Sequence, residues 1–310
     1  MLTLPLTLKP NHLLHRGMTA RTMAWALDKL GQGECVALAS VVESQGSVPG
    51  KVGAKIAVTE HGERQGTVGG AGLEQKVISH LAAVLKGNEA PGIHRFQLRK
   101  EALESGKGIE GTPLNSLCGG VVTIVSELLN ASPHVLLAGG GHCAIAIGRM
   151  AEVLDWRISI LDTREEYVSK EHHPNAIERI HASPEEFFEK ENSSSLERFS
   201  HILIMGHDWA IDQALLLEIL GMMDGEEWRT TVGTIGSKAK WKSFTKAAKE
   251  VGITDQTLEQ VLCPIGADIL AESPEEIAIA VCAQIIEGRA RALRGESPIR
   301  HTGWRTTQTE

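Results

Sequence analysis

The chain lacks paired cysteines. Its five, Cys35, Cys118, Cys143, Cys263 and Cys282, lie far apart among 310 residues, with no CxxC pair and an odd count. That pattern excludes a disulfide framework and an iron–sulfur cluster site, and it points to a reduced, cytoplasmic setting. Cys35, Cys143 and Cys282 sit in apolar surroundings and read as small buried residues. There is no HExxH, and His172-His173-Pro174 lacks the helical spacing of a zinc pair, so no metal held wholly by side chains is expected. Cationic excess is also missing. Lys and Arg number 31 against 39 Asp and Glu, a net charge of -8, which argues against a nucleic-acid partner. No apolar run reaches the ~20 residues needed to span a bilayer, and residues 1–17 carry no charged-then-apolar leader pattern, so no membrane association is expected. Aromatic residues make up only 4%, leaving Leu, Ile, Val and Ala to build the cores. The 42% hydrophobic content is enough for two compact domains at this length.

What is present is organised in two halves. Residues 19–30 show helical amphipathicity and residues 35–42 form an apolar run rich in Val and Ala, a strand. A glycine-rich loop (45–53), a strand (54–59), a hairpin turn at 60–62 and a return strand (64–68) follow. Gly69-Gly70-Ala71-Gly72 leads into a helix over 73–85, and residues 93–98 and 121–128 read as further strands. No parallel βαβ rhythm is evident, so this half is expected to be a smaller α+β domain, residues 1–130. Residues 130–133 read as a linker. Beyond them strands (135–138, 157–161, 179–181, 201–205, 230–235) alternate with helices starting near His142, Pro184, Asp208 and Ser237. That alternation predicts an α/β fold, a Rossmann-like doubly wound parallel sheet over 131–290, followed by a polar tail, 291–310. Ser183-Pro184-Glu185-Glu186 and Ser273-Pro274-Glu275-Glu276 each read as a helix cap.

Within the second half, strand, glycine turn, helix, second strand and terminal acid appear in the order that suits a dinucleotide. Gly139 allows the tight turn, Gly140 lies within it, Gly141 lets a pyrophosphate approach the backbone, and Ala144 permits close helix packing. The helix starting at His142 would face the anion, and Asp162 is placed for a ribose 2′-hydroxyl. His207 and Asp208 end an apolar strand, where an open parallel sheet places its ligands. Asp208 reads equally as a helix cap, and Asp212, one turn on, as a helix-surface residue. Gly236-Ser237-Lys238 again ends a strand and opens a helix, either an anion site or an ordinary serine cap. In the first half, Gly69 and Gly70 crowd a strand-to-helix junction. Cys118, beside Gly119-Gly120, is either a reactive thiol or soft-metal contact, or a buried cysteine at a bulge. Taken alone, these residues admit an NAD(P)-dependent oxidoreductase with His207 as acid–base. They also admit a partner-binding protein whose nucleotide site is vestigial.

The pieces together resemble the XdhC/CoxI family, the xanthine dehydrogenase accessory proteins. The matching stretches in the first half are Gly46-Ser47-Val48-Pro49, Gly53-Ala54-Lys55, Gly66-Thr67-Val68-Gly69-Gly70 with Leu73-Glu74, and Cys118-Gly119-Gly120. In the second half they are Ala138-Gly139-Gly140-Gly141-His142, Asp162-Thr163-Arg164, His207-Asp208, Ile235-Gly236-Ser237-Lys238, and Pro264 to Ile269 running into Glu272-Ser273-Pro274-Glu275-Glu276-Ile277-Ala278. Gly206 stands where relatives commonly carry Thr, and Thr234 where an aliphatic residue is usual. The resemblance covers roughly residues 20–290. It implies an accessory protein that binds molybdenum cofactor (molybdopterin) and assists its sulfuration and insertion into a xanthine dehydrogenase-type molybdenum hydroxylase. Such a protein is a carrier or insertion chaperone more than a catalyst. The implied partners are the apo-hydroxylase and a sulfur-donating desulfurase; a homodimer is expected only from the general prevalence of two-fold oligomers. The candidate cofactor contacts are Gly69, Gly70, Cys118, Gly139, Gly140, Gly141, His142, Asp162, Gly236, Ser237 and Lys238, and the candidate catalytic groups are His207, Asp208 and Cys118. The ligand is expected between the two domains.

Overall fold

Residues 36–39 are apolar at odd and even positions alike, so the strand they form must be covered on both faces. The computed structural model describes residues 17–99, 112–115, 120–225, 228, 230–292, 294 and 296, and in it this strand, β1 (Val36–Gly46), is buried through its first six residues. Ala37, Ala39 and Val41 pack with Ile56, Leu73, Val77 and Leu81 in one cluster. Val36 and Leu38 join Ala26 and Ala57 in another.

The chain divides into two units, Met1–Ala131 and Ser132–Glu310. The first also holds α1 (Met18–Gly31), β2 (Lys55–Thr59), β3 (Arg64–Gly66), α2 (Ala71–Leu85), β4 (Ile93–Arg99), β5 (Thr112–Asn115) and β6 (Gly120–Leu129). Its sheet runs β3-β2-β1-β6-β4-β5, antiparallel except where β4 meets β5. This is the α+β arrangement expected where no βαβ rhythm exists. The predicted hairpin turn joins β2 to β3, with Gly62 at φ 79° donating its N–H to the Thr59 carbonyl at 3.0 Å. The pattern of residues does not predict β5. It is four residues long and contains Pro113, which has no N–H to donate, and it is tolerated because it lies at the edge of the described sheet.

The second unit comprises β7 (His134–Ala138), α3 (His142–Val153), β8 (Arg157–Asp162), a 3₁₀ turn (Glu165–Val168), β9 (Glu178–His181), α4 (Pro184–Phe188), α5 (Ser193–Leu196), β10 (His201–Ile204), α6 (Trp209–Met223), β11 (Thr231–Thr234), α7 (Lys238–Glu250), α8 (Asp255–Glu259) and α9 (Pro274–Ala292). All four pairings are parallel, in the order β11-β10-β7-β8-β9. Alternate residues of β7 serve opposite faces. Leu136 and Ala138 pack with Leu215, Leu216, Ile219 and Phe244 of α6 and α7. Val135 and Leu137 pack with Ile147 of α3 and with Val281 and Ile285 of α9. The chain winds outward from β7 to β8 and β9, then returns to β10 on the other side. Such a reversal opens a crevice at the carboxyl ends of β7 and β10.

The predicted caps form. Ser183 Oγ accepts from Glu186 N–H at 3.2 Å while the Glu186 carboxylate accepts from Ser183 N–H at 2.8 Å. Ser273 and Glu276 repeat the exchange at the start of α9, satisfying donors a helix start leaves open. No helix among the described residues is long and apolar enough to cross a membrane.

Two histidines are buried at strand starts. His134 Nε2 meets Ser159 Oγ at 2.8 Å, and its pKa is pushed down to about 4 by burial, then by the Arg157 charge. His201 is likewise lowered to about 4 by burial and by Arg289. Both therefore fold neutral, whereas the unfolded chain protonates them near 6.5. As pH falls from about 6.5 to about 4 the unfolded state binds the extra protons, so stability present above that window is lost through it. Urea denaturation should show a loss of up to ~3 kcal/mol per histidine across this range. The pH dependence should flatten in His134→Gln and His201→Gln.

Candidate functional site

The crevice is organised by three glycines that differ in what they need. Gly139 has φ +115°, and a Cβ on it would lie 2.6 Å from the Met205 carbonyl and the Gly206 nitrogen. Only glycine lets β7 and the strand end after β10 approach this closely. A Cβ on Gly140 would collide with the Tyr167 carbonyl. Gly141 meets nothing within 4 Å. It leads into α3, which starts with no side-chain cap and no acid in its first turn. Open N–H groups at an uncapped helix start favour an anion. His142, the first residue of α3, is exposed beside them.

Gly140 is tied at both backbone polar groups. Its N–H donates to Asp162 Oδ2 at 2.8 Å, and its carbonyl accepts from His173 Nε2 at 3.0 Å. Burial lowers the His173 pKa, which keeps the ring neutral with its proton on Nε2. Asp162 is fully engaged. Besides Gly140 it accepts Arg164 N–H and Nε at 2.9 Å and Nη2 at 2.8 Å, four donors on its four principal lone-pair sites. Burial raises its carboxyl, but Arg164 and the two backbone donors outweigh that and hold it below its ordinary value. The Arg164 guanidinium also lies 3.7 Å over the Tyr167 ring. The acid expected to receive a ribose hydroxyl is thus occupied from within, and binding ribose through it requires Arg164 to let go.

Beneath the end of β10 lies a pair the sequence reading does not contain. Asp212, expected on the helix surface, is 0% exposed. It accepts Gly206 N–H at 2.9 Å and Lys240 Nζ at 2.6 Å. Burial raises its carboxyl pKa against the opposing pull of Lys240 and Gly206. A Cβ at Gly206 would run into this carboxylate, which accounts for glycine there. Asp208 caps α6, its carboxylate accepting from Ala210 N–H at 2.8 Å, and His207 is exposed at the rim. Gly139, Asp162, His207 and Asp212 line one small cavity, ≈ 20 Å³, too small to enclose a ligand of nucleotide size. Ser237 caps α7 by accepting Lys240 N–H at 3.3 Å. Lys238 is exposed, and it is Lys240 that turns inward. Gly236 is close-packed, a Cβ there falling 3.3 Å from Cys263 Sγ.

In the first unit, Gly69 (φ +83°) and Gly70 (φ +75°) abut Pro49, with Cβ positions 2.7 Å from its carbonyl and 2.6 Å from its ring. The Gly69 N–H donates to Thr67 Oγ1 at 3.1 Å, and Thr67 Oγ1 donates to the Glu74 carboxylate. These glycines let two loops cross, and that packing explains them without a ligand. Cys118, with Gly119, lies outside the described residues. No group of three or more His, Cys, Asp or Glu suited to a metal ion occurs among the described residues.

Comparison with known proteins adds to this geometry. Residues 135–285 match the model of the XdhC Rossmann domain, and residues 30–97 that of the XdhC and CoxI family. The uncharacterized protein YqeB of Escherichia coli (strain K12) is 28% identical over 268 residues, 86% of this chain and 46% of that protein. A probable xanthine dehydrogenase subunit from Bacillus subtilis (strain 168) is 25% identical over 167 residues, 53% of this chain and 46% of that protein. The chain therefore spans under half the length of these curated relatives. A crystal structure of a xanthine dehydrogenase from Bacillus halodurans aligns at 19% identity and TM-score 0.44, covering 87% of this chain and 95% of that one.

The Asp212–Lys240 pair gives a direct test. Removing one partner strands a buried charge, so Lys240→Met should cost ~3–5 kcal/mol in urea denaturation. Adding Asp212→Leu to it should restore much of the loss. Lys238→Ala, on the exposed side, should stay within ~0.5 kcal/mol of the parent.

Proposed function

The chain belongs to the XdhC and CoxI family, and from that membership we propose that it serves the maturation of a xanthine dehydrogenase-type molybdenum hydroxylase. In this reading it carries molybdenum cofactor, holds it for sulfuration by a desulfurase and hands it to the apo-enzyme. The observation that carries the proposal is the open start of α3. Gly141 faces free space, α3 has no side-chain cap, and both carboxylates nearest the turn are neutralised by bonded cations. A phosphate fits such a site, because donors converge there and Asp162 and Asp212 are each paired with a cation; Glu275 of α9, which raises the Cys143 thiol pKa, is the opposing charge.

The cofactor supplies the molybdenum chemistry, and the chain's own residues bind and orient it. The backbone N–H groups of Gly141, His142 and Cys143 receive the phosphate. Ser237 and Lys238 add polar and cationic contacts, and His207 contributes a polar group at the rim; Cys118, in the first unit, is proposed separately as a sulfur contact. A second reading is an NAD(P)-dependent oxidoreductase with His207 as acid–base. The strand order favours it, and the filled lone pairs of Asp162 speak against it.

Mass spectrometry of gently purified protein, with pterin fluorescence after acid oxidation, decides between the two. A molybdopterin signature is expected, and Gly141→Val should remove at least ~90% of it by closing the approach to α3 while circular dichroism stays unchanged. Retained NAD(H) with turnover of a small alcohol or aldehyde would establish the oxidoreductase instead. The carrier assignment also fails if Cys118→Ala and Lys238→Ala both leave cofactor binding and transfer intact.

A further inference from the structure

A second cavity of the Rossmann unit, ≈ 160 Å³, lies along the flank of α3 and shares no described lining residue with the one under the glycine turn. Its walls include Arg149 and Glu152 of α3, Trp156 just before β8, and Glu171, His173 and Asn175 of the loop that leads to β9. The volume is below the ~300–1,000 Å³ of drug-sized pockets and suits a ligand of about ten non-hydrogen atoms.

The charges on this wall are uncommitted. Arg149, Glu152 and Glu171 are exposed, and none has an ion-pair partner among the described residues. Arg149 and Glu152 stand three residues apart on one helix, a spacing at which opposite charges can meet. Here both line the cavity instead. Asp162 and Asp212, by contrast, are each bonded to a cation. His173 adds no charge, because burial keeps it neutral and its Nε2 is engaged with the Gly140 carbonyl. The wall therefore presents one cation and two carboxylates. Between them the Trp156 indole and Ile145 offer apolar surface.

We infer that this cavity binds a small α-amino acid with a cationic side chain, of the size of lysine. Such a ligand carries the complementary set of charges, one carboxylate and two ammonium groups. Arg149 receives the carboxylate, Glu152 and Glu171 receive the ammonium groups, and the methylene stem packs on the indole. The occupant thus bridges α3 to the loop that carries His173. The assignment is independent of the carrier reading.

Isothermal titration of the full chain at about pH 7.5, where an ordinary histidine is largely neutral, tests it. The probes are L-lysine, 6-aminohexanoate, which lacks the α-ammonium, and cadaverine, which lacks the carboxylate. One saturable lysine site is expected, with each analogue at least ~5-fold weaker. Arg149→Gln should weaken lysine at least ~5-fold while cadaverine binds as well or better. Glu171→Gln should weaken both. Hydrogen exchange in residues 169–176 should slow when lysine is added, because the ligand ties that loop to α3. His207→Ala, in the glycine-turn crevice, should bind lysine like the parent. No saturable lysine binding below ~10 mM, equal affinity for lysine and both analogues, parental lysine affinity in Arg149→Gln, or unchanged exchange in residues 169–176 each overturns the inference.

Discussion

Gly140 is held at both of its backbone polar groups, and the geometry of the crevice depends on those two bonds. Asp162 at the end of β8 takes its N–H, and His173, beyond the 3₁₀ turn, supports its carbonyl. The grip works only because His173 is buried and neutral, since its Nε2 proton must face the carbonyl. It also needs glycine, because the Tyr167 carbonyl fills the space where a side chain would go. The start of α3, and hence the direction of its open N–H groups, follows from this clamp.

The two carboxylates near the turn share a logic. Asp162 is spent on Arg164 and two backbone donors, and Asp212 on Lys240 and Gly206. Each acid positions backbone at a strand end, and each has its charge cancelled at hydrogen-bond distance. An unpaired carboxylate there would repel a phosphate in a region where water screens poorly. Asp162 and Asp212 thus keep a structural use while adding little net negative charge to the crevice.

Much of this was legible in the residues. Both-face burial of the parallel strands, the serine–glutamate caps and the glycine turn all follow from period, composition and local chemistry. The buried ion pair was not, although its signal was present. Asp212 stands three and four residues before Leu215 and Leu216 on the buried stripe of α6. Lys240 stands four before Phe244 and eight before Ala248 on that of α7. A charged residue in phase with an apolar stripe on each of two successive helices is a pair waiting to be matched. Lys238, two residues earlier, lies off that stripe and is exposed, so the Gly-Ser-Lys spelling carries no sign of the buried contact that Lys240 makes. The clamp by His173 lay out of reach for another reason. It joins residues 33 apart in sequence through a turn with no periodic pattern. The filling of Asp162 by Arg164 depends on a side-chain geometry that Asp-Thr-Arg does not reveal.

The first unit's sheet ends on β3, three residues long, and on β5, where Pro113 interrupts the row of donors. A bare strand edge is a template on which another chain can lengthen a sheet, and templates work through runs of alternating N–H and C=O groups. Here one margin is too short to register a foreign strand and the other has a missing tooth. Among the described residues, sheet extension from chain to chain is therefore discouraged at one margin by shortness, with the exposed Arg64 adding a charge, and at the other by one imino acid.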